Sequence, residues 1–511
     1  MIARMQIAVP ILIGAIFCAI QLYILAPNDD NIYLLTIAGQ MLSGKRYYYD
    51  FFELNPPLYC VLLFPVQWLH AISGIDLQGS FVLWISVLIV TAITAISHML
   101  PRLMDEHWMA HTGIVLAIEA VLFFVPGMDF GERDHLALVF LLPALVWIAG
   151  RMHRERTTAF GFAVIIVAAL GVLIKPPIIA AAGAAYAVRL ATERDWQLLI
   201  APVVWCSALV AGLYGATILL WFPDWLRVAK VAHTAYAAYD TANWFDSRSI
   251  VLAVLIGALA SVNEIWGTGG EKRLGRILAA ASIGAVGSYL LQRKGLDYHL
   301  LPATLLTWLL VGLVAMTVMR WAATRWRPRL LRYRVVALWL LAALPLFRSF
   351  DWTLLLAKRI DVPMRALAET LHSNRIGPRI AVFATRIYPA YPLPVYRPTL
   401  PAWRFAQPWL VPWIIQQERA GRGDAPETQA LTTELLRMVV EDFHRFTPDG
   451  LMVDESREQW GIGINPDMLG WFRKDPRMAK ILSGYERVAE FDDPVRGTRG
   501  PRYGIYRRRS E

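Results

Sequence analysis

Cysteine is nearly absent from this chain. Three occur, Cys18, Cys60 and Cys206, each in or beside an apolar run. Their spacing excludes a disulfide framework and a cysteine-based metal site. Charge is also scarce. Asp, Glu, Lys and Arg make up 18% of the residues, against about 25% in an ordinary soluble domain. No internal repeat, low-complexity tract or long linker is present, which excludes a solenoid or a tethered array. The first apolar run, after Arg4, lacks a convincing cleavage site and reads as an uncleaved span rather than a signal peptide. The net charge of +10 forms no nucleic-acid-binding face, because Lys and Arg gather in short runs between apolar segments.

What is abundant is apolar length. Hydrophobic residues make up 56% of the chain and the mean hydropathy is +0.43. Runs of membrane length are read near 5–26, 57–74, 78–100, 109–126, 135–150, 159–174, 177–190, 198–222, 250–266, 277–291, 300–319 and 335–350. The expected fold is a polytopic α-helical membrane protein with about 11–13 transmembrane helices. Basic runs set the orientation: Arg151 to Arg156, Lys272 to Arg276, and Arg320 to Arg334 all belong on the cytoplasmic side. Alternation from residue 135 onward then places 127–134, Lys175, 223–249, 292–299 and everything beyond about 351 outside. The N-terminal part does not close in the same way, so one run between 57 and 126 does not cross as drawn, with 109–126 and its Glu119 a suspect.

Beyond about 350 the apolar runs shorten and prolines multiply. The segment 379–384 reads as a buried strand, 427–446 as an amphipathic helix, and 451–453 and 503–506 as further strands. The chain thus divides into a membrane part, 1–350, and a soluble α/β domain, 351–511, of about 150 residues.

The stretch 27–58, PNDDNIYLLTIAGQMLSGKRYYYDFFELNPPL, puts Asp29, Asp30, Asp50 and Glu53 close to lipid. Carboxylates are costly there, so they are functional candidates. Apolar residues at helical spacing up to Met41-Leu42, stopped by Ser43-Gly44, predict a short surface helix with both aspartates at its N-terminus. There the helix dipole alone can account for them. Three other polar clusters fall on the same side. They are Gly131-Glu132-Arg133-Asp134-His135, Lys175-Pro176-Pro177, and Gln292-Arg293-Lys294-Gly295-Leu296-Asp297-Tyr298-His299. Carboxylates and cations at one water–lipid boundary suit reaction of a hydroxyl with a membrane-borne phosphate. A carboxylate takes the proton, and Arg, Lys or His holds the phosphate. Each cluster also has a plain structural explanation: Arg133 paired with Glu132 or Asp134, Lys175 snorkelling from a helix end, and His299 satisfied beside Tyr298.

In order and placement these motifs resemble the GT-C superfamily of membrane glycosyltransferases, nearest the protein O-mannosyltransferase and lipid A aminoarabinose transferase group. The residues that carry the likeness are Asp29-Asp30, the helix ending MLSG, YYYDFFELNPPL, GERDH, IKPP and QRKGLDYHLLP. The resemblance covers about 1–320 and extends to an outer C-terminal α/β domain. It implies a bacterial inner-membrane enzyme with a periplasmic active site and a polyprenyl-phosphate-sugar donor. The acceptor would be a glycan, lipid or protein, and membrane lipids would be the remaining partners. Asp30 is the favoured base because Asp30 and Tyr33 fit a D-x-x-Y pattern, with Asp29 the alternative and Asp134 a third catalytic candidate. Substrate would be held by Glu53, Asn55, Glu132, Arg133, His135, Lys175, Arg293, Lys294, Tyr298 and His299. The family's lysine before the loop proline is replaced by Asn55, which shifts donor-phosphate contact toward Lys175 or Arg293. A divalent cation (Mg or Mn), if used, would sit on Asp30 and Asp134. The competing classes are a transporter or flippase of lipid-linked glycans, which would carry its charges at the bilayer midplane, and a non-catalytic scaffold that has kept the fold.

Overall fold

The computed structural model describes residues 2–26, 28–103, 108–150, 158–194, 196–239, 246–325, 359–495 and 501–509. The run expected at 335–350 and the basic loop at 151–156 lie outside the described residues, as does most of the basic run 320–334. Packing sorts the chain into two units. One comprises Met1–Leu25, Trp68–Thr217 and Thr241–Leu354; the other comprises Ala26–Gln67, Ile218–Asp240 and Leu355–Glu511. The sequence division at 350 follows composition, whereas this one follows contacts.

The first unit is helical. It holds α1 (Ile2–Ile24), most of α4 (Phe64–Ser73), α5 (Leu77–Leu103), α6 (Trp108–Phe124), α7 (Arg133–Ala149), α8 (Ala159–Ile174) and α9 (Ile179–Glu193). It continues with α10 (Pro202–Trp221), α12 (Ser247–Trp266), α13 (Gly269–Gln292) and α14 (Leu301–Arg325). Six helices among the described residues are long and apolar enough to cross a membrane: Ile7–Ile24, Leu77–Pro101, Pro202–Trp221, Ser247–Trp266, Gly269–Gln292 and Asp297–Ala322. The centre is α7, in which every residue from Arg133 to Ala149 is buried. Small residues let its neighbours close in. A Cβ on Gly171 of α8 would lie 2.7 Å from the Ala137 carbonyl, and one on Gly284 of α13 would lie 2.3 Å from the Ala180 carbonyl of α9. By contrast α10 buries none of its residues, so its apolar surface faces outward all round. The entry to α13 is fixed by a capping box between Thr268 and Glu271. Glu271 also takes an ion pair from Arg320 at 2.5 Å.

The run expected as a span at 57–74 is not one helix. It breaks at Leu63 into α3 (Leu58–Leu62) and α4. Neither piece alone has the roughly 20 residues a crossing needs.

The second unit combines α2 (Asp29–Leu42), α3, α11 (Trp225–Ala237) and the C-terminal residues. The expected surface helix is α2: Asn28 caps it by accepting from the Asn31 backbone N–H at 3.1 Å, and it ends at Ser43 before Gly44 turns with φ 79°. A helix over 359–373 (α15) precedes strand β1 (Ile380–Phe383). Short helices α16 (Leu393–Tyr396) and α17 (Val411–Arg419) lead to α18 (Pro426–Phe446), then β2 (Gly450–Asp454). Two more short helices, α19 (Met468–Phe472) and α20 (Pro476–Ser483), precede β3 (Tyr485–Asp492) and β4 (Arg502–Arg508). The sheet order is β1-β2-β4-β3, with β1 and β2 parallel and the other pairs antiparallel. Met364, Leu367 and Leu371 of α15 pack with Val382, Met452 and Ile505 to form its core. The strands expected at 379–384, 451–453 and 503–506 and the helix at 427–446 are all present; β3 was not anticipated.

Candidate functional site

Three of the four sequence clusters come together within the helical unit. Gly131 makes the turn into α7 with φ 76°, and a Cβ there would lie 2.5 Å from the Phe81 ring, so only glycine fits. Its N–H donates to His135 Nδ1 at 2.9 Å, which leaves the His135 proton on Nε2. Glu132 occupies the position before the first turn of α7 without making a side-chain capping hydrogen bond, and faces Arg133 at 3.8 Å. Burial first, and Asp134 second, push the Glu132 carboxyl well above its ordinary range. Lys175, at the end of α8, places its Nζ 2.8 Å from Asp134 Oδ2 and 5.4 Å from the centre of the Tyr298 ring. Tyr298 in turn stands edge-on to His299 at 4.3 Å.

Thus the expected Lys175, Asp134, Tyr298 and His299 are neighbours, and the charges acting on His299 are those of Lys175, Lys294 and Arg133. Arg293 ends α13 in the left-handed conformation, φ 54°. Among the described residues, neither Glu132 oxygen, nor His135 Nε2, nor His299 Nδ1 has a hydrogen-bond partner, although all are buried. Such groups are costly unless something polar satisfies them. Next to this cluster, Arg248 bridges Asp246 at 2.6 Å and Asp297, which fixes the 293–299 turn from α12.

The remaining cluster lies in the second unit. Asp29 and Asp30 occupy the first turn of α2, each half-buried. Burial and the adjacent Asp30 raise Asp29 to about 7, while Arg386 pulls it down. Glu53 is buried and accepts from the Asn55 backbone N–H at 2.8 Å and from the Asn55 side-chain amide. Asn55 Oδ1 receives the Tyr236 hydroxyl at 3.3 Å. Burial first, then the Glu53 carboxylate, hold the Tyr33 phenol protonated far above its usual range. Glu53 and Asn55 therefore tie α11, α2 and their own loop together.

The loop 44–52 is fastened by the C-terminal residues of its own unit. Arg404 is buried against Asp442 at 2.9 Å and donates to the Tyr48 carbonyl at 2.8 Å. Tyr48 donates its hydroxyl to Glu434. Asp50 pairs with Arg445. Burial pushes the Asp50 carboxyl up, but the Arg46 backbone N–H and Arg445 outweigh it and leave it below the usual range. Asp50 is thereby a structural anchor.

Sequence reasoning missed Arg386, Tyr391 and Asp454. The Tyr391 ring lies 5.1 Å from Tyr33, and Asp454 ends β2, buried. Their chain positions give no hint, because the turns after β1 bring Tyr391 to α2 and strand pairing sets Asp454 opposite Tyr503. Among the described residues no group of three or more His, Cys, Asp or Glu gathers as a metal cage. No protein-family model, curated protein or solved structure matches the chain.

Proposed function

We propose that the chain is an integral inner-membrane glycosyltransferase of the GT-C type. It would move a sugar from a polyprenyl-phosphate donor to a glycan, lipid or protein acceptor at the periplasmic face. The observation that carries this reading is the Asp29–Asp30 pair in the first turn of α2, with Asp29 held near 7. A base is most effective when its pKa lies close to the working pH. A carboxylate raised to that range is still ionised enough to act and is a stronger base than an ordinary one.

The topology is consistent with this placement. If α3 and α4 do not cross, alternation from Arg4 inside puts Arg151 to Arg156, Arg194, Lys272 to Arg276 and Arg320 to Arg334 on one side. The 27–58 segment, Glu132, Lys175, 293–299 and the C-terminal residues then share the other side.

In the reaction, the Asp29–Asp30 pair accepts the proton of the acceptor hydroxyl. The hydroxyl oxygen forms a bond to the anomeric carbon from the face opposite the phosphate, so configuration inverts. The bond from that carbon to the phosphate oxygen breaks, and its electron pair leaves on polyprenyl phosphate. Within the helical unit, Lys175, Arg293, Lys294 and His299 are the groups suited to holding a phosphate through charge-assisted hydrogen bonds. Glu132, with Asp134, would orient polar groups of the substrate. A divalent cation, if one binds, would add charge neutralisation at the phosphate.

Transfer of labelled sugar by purified protein tests the reading. Asp29→Asn with Asp30→Asn should abolish transfer while polyprenyl phosphate still binds. Retained turnover in that double variant would remove the mechanism and leave a carrier or scaffold role.

A further inference from the structure

Helix α11 has one face committed to packing and one face turned out. On the packed face Val228 and Ala235 are buried. Tyr236 and, just past the helix end, Tyr239 each lie 6.4 Å from the Trp409 ring, and Gln416 donates to the Ala238 carbonyl at 2.9 Å. On the other face Arg227, Lys230 and His233 recur every third residue, and all three are exposed. The loop 44–52 of the same unit extends this face. The Arg227 guanidinium lies 5.5 Å from the centre of the Tyr48 ring and 5.6 Å from that of Tyr49, and Arg46 lies 4.9 Å from Tyr49.

The carboxylates at hand are already taken. Asp224 pairs with Arg46 at 2.6 Å, Asp50 with Arg445, and Glu434 and Glu441 with Arg437. Among the described residues Arg227 and Lys230 make no ion pair, so this face carries cations without anions. The chain also sets its depth. Leu219, Leu220 and Trp221 at the end of α10 are 64%, 70% and 69% exposed, and α10 is long and apolar enough to cross a membrane. With α10 across a bilayer, Trp221 stands at the boundary that tryptophan favours. The connection to α11 is tight, with the Trp225 N–H donating to the Phe222 carbonyl at 3.0 Å. Arg227 therefore starts close to the headgroup layer.

We propose that the outward face of α11, with Arg46 and Tyr49, binds the phosphate headgroups of anionic phospholipids and holds its unit to the bilayer surface. This rests on α10 being a membrane span and not on the glycosyltransfer reading. An amphipathic helix with basic residues on its polar face is suited to lying at that surface. Each Lys or Arg near anionic headgroups is worth about fivefold in preference for them. Lipid is the occupant that placement favours. A headgroup is already confined to the layer where α11 begins, so its local concentration is high, whereas a dissolved anion must be captured from solution.

The test is local and needs no sugar substrate. p-Benzoylphenylalanine in place of His233 cross-links on illumination to whatever stands beside the helix. The full-length protein is placed in nanodiscs of equal phosphatidylglycerol and phosphatidylcholine, and mass spectrometry counts the two adducts. Phosphatidylglycerol should dominate. Arg227→Gln with Lys230→Gln should lower its excess by about tenfold or more. Arg457→Gln with Lys480→Gln removes the same charge from exposed positions elsewhere in the unit and should leave the excess in place. An unmoved excess in the first pair, an equal loss in both pairs, or no lipid adduct at all overturns the proposal. So does loss of the excess on adding inorganic phosphate, which would mark a free-anion site, or on adding heparin, which would mark an acidic-glycan site. If the first pair does not purify folded, Lys230→Gln alone should lower the excess by about fivefold. Failure of sugar transfer would bear on the enzyme reading alone, since no group of this face enters that reaction.

Discussion

Lys175 Nζ lies 2.8 Å from Asp134 Oδ2, with both side chains largely shielded from solvent. The pair joins the end of α8 to the first turn of α7, the most deeply buried helix of its unit. Lys175 therefore has a structural partner in addition to any phosphate it meets. Removing one member leaves the other charge buried and alone.

Lys175→Ala should accordingly lower stability by about 3–5 kcal/mol, the usual cost of breaking a buried pair from one side. Lys175→Ala with Asp134→Ala should recover much of that loss. Thermal melts of the purified single and double variants check this. Equal damage in single and double variants would mean that the lysine acts through packing instead.

Asp29 makes folding pH-dependent. An acid whose folded pKa is about 7 rather than 3.8 binds its proton more tightly when folded. Stability is then fully present below about pH 4 and falls as pH rises toward and through 7. Asp29→Asn should match wild type below about pH 4, and the gap between them should open as pH rises from there toward 7. Near pH 8.5 it should exceed wild type by about 1–2 kcal/mol, after discounting for the half exposure of the group.

Transfer activity should follow the same group in the opposite sense. A base must be ionised, so the rate should climb as pH rises through about 7 and level off above it. The acid limb of the kcat/KM profile is the measurement. A limb centred near 4 would assign proton removal to an ordinary carboxylate.

Arg404 should matter for the order of the 44–52 loop more than for any chemistry. Its guanidinium meets Asp442, which is fully buried, and reaches the Tyr48 carbonyl. Arg404→Ala should cost about 3–5 kcal/mol and open the loop near Lys45-Arg46 to trypsin. Limited proteolysis against wild type reads the second effect directly.

The proposed topology predicts opposite behaviour at two exposed positions. A cysteine in place of Glu458 should react with an impermeant maleimide on intact spheroplasts. One in place of Arg194 should react only after lysis. Labelling of both from outside, or of neither, would overturn the assignment of sides.

Local signals made much of the fold legible. The start of α2 follows from Asn28 and two acids before an apolar run, and its end from Ser43-Gly44. Helix α18 follows from its amphipathic period, and β1 and β2 from short apolar runs bounded by turns. What stayed hidden was set by distant partners. The run at 57–74 is mostly apolar, so its hydropathy does not mark the break at Leu63; Pro65, two residues beyond, is the local signal that was there to read. Strand β3, YERVAEFD, is mostly half-exposed and shifts register between Arg487 and Ala489, which blurs its alternation. In the site, the meeting of Lys175 with Asp134 and Tyr298 was visible only as residues expected on a common side. The contribution of Arg386 depended on a turn that its own neighbours do not announce.

The wiring of the 44–52 loop has a consequence for biosynthesis. Tyr48 and Arg404 are 356 residues apart, and Glu434 and Arg445 lie farther still along the chain. At about 5–20 residues per second, the loop leaves the ribosome tens of seconds before the groups that will hold it exist. Through that interval Asp50, the Tyr48 hydroxyl and the Tyr48 carbonyl depend on water or on a chaperone. A nascent chain halted before Arg404 would carry most of its apolar helices and an unfastened loop beside them, which gives proteolytic surveillance a way to tell unfinished copies from finished ones.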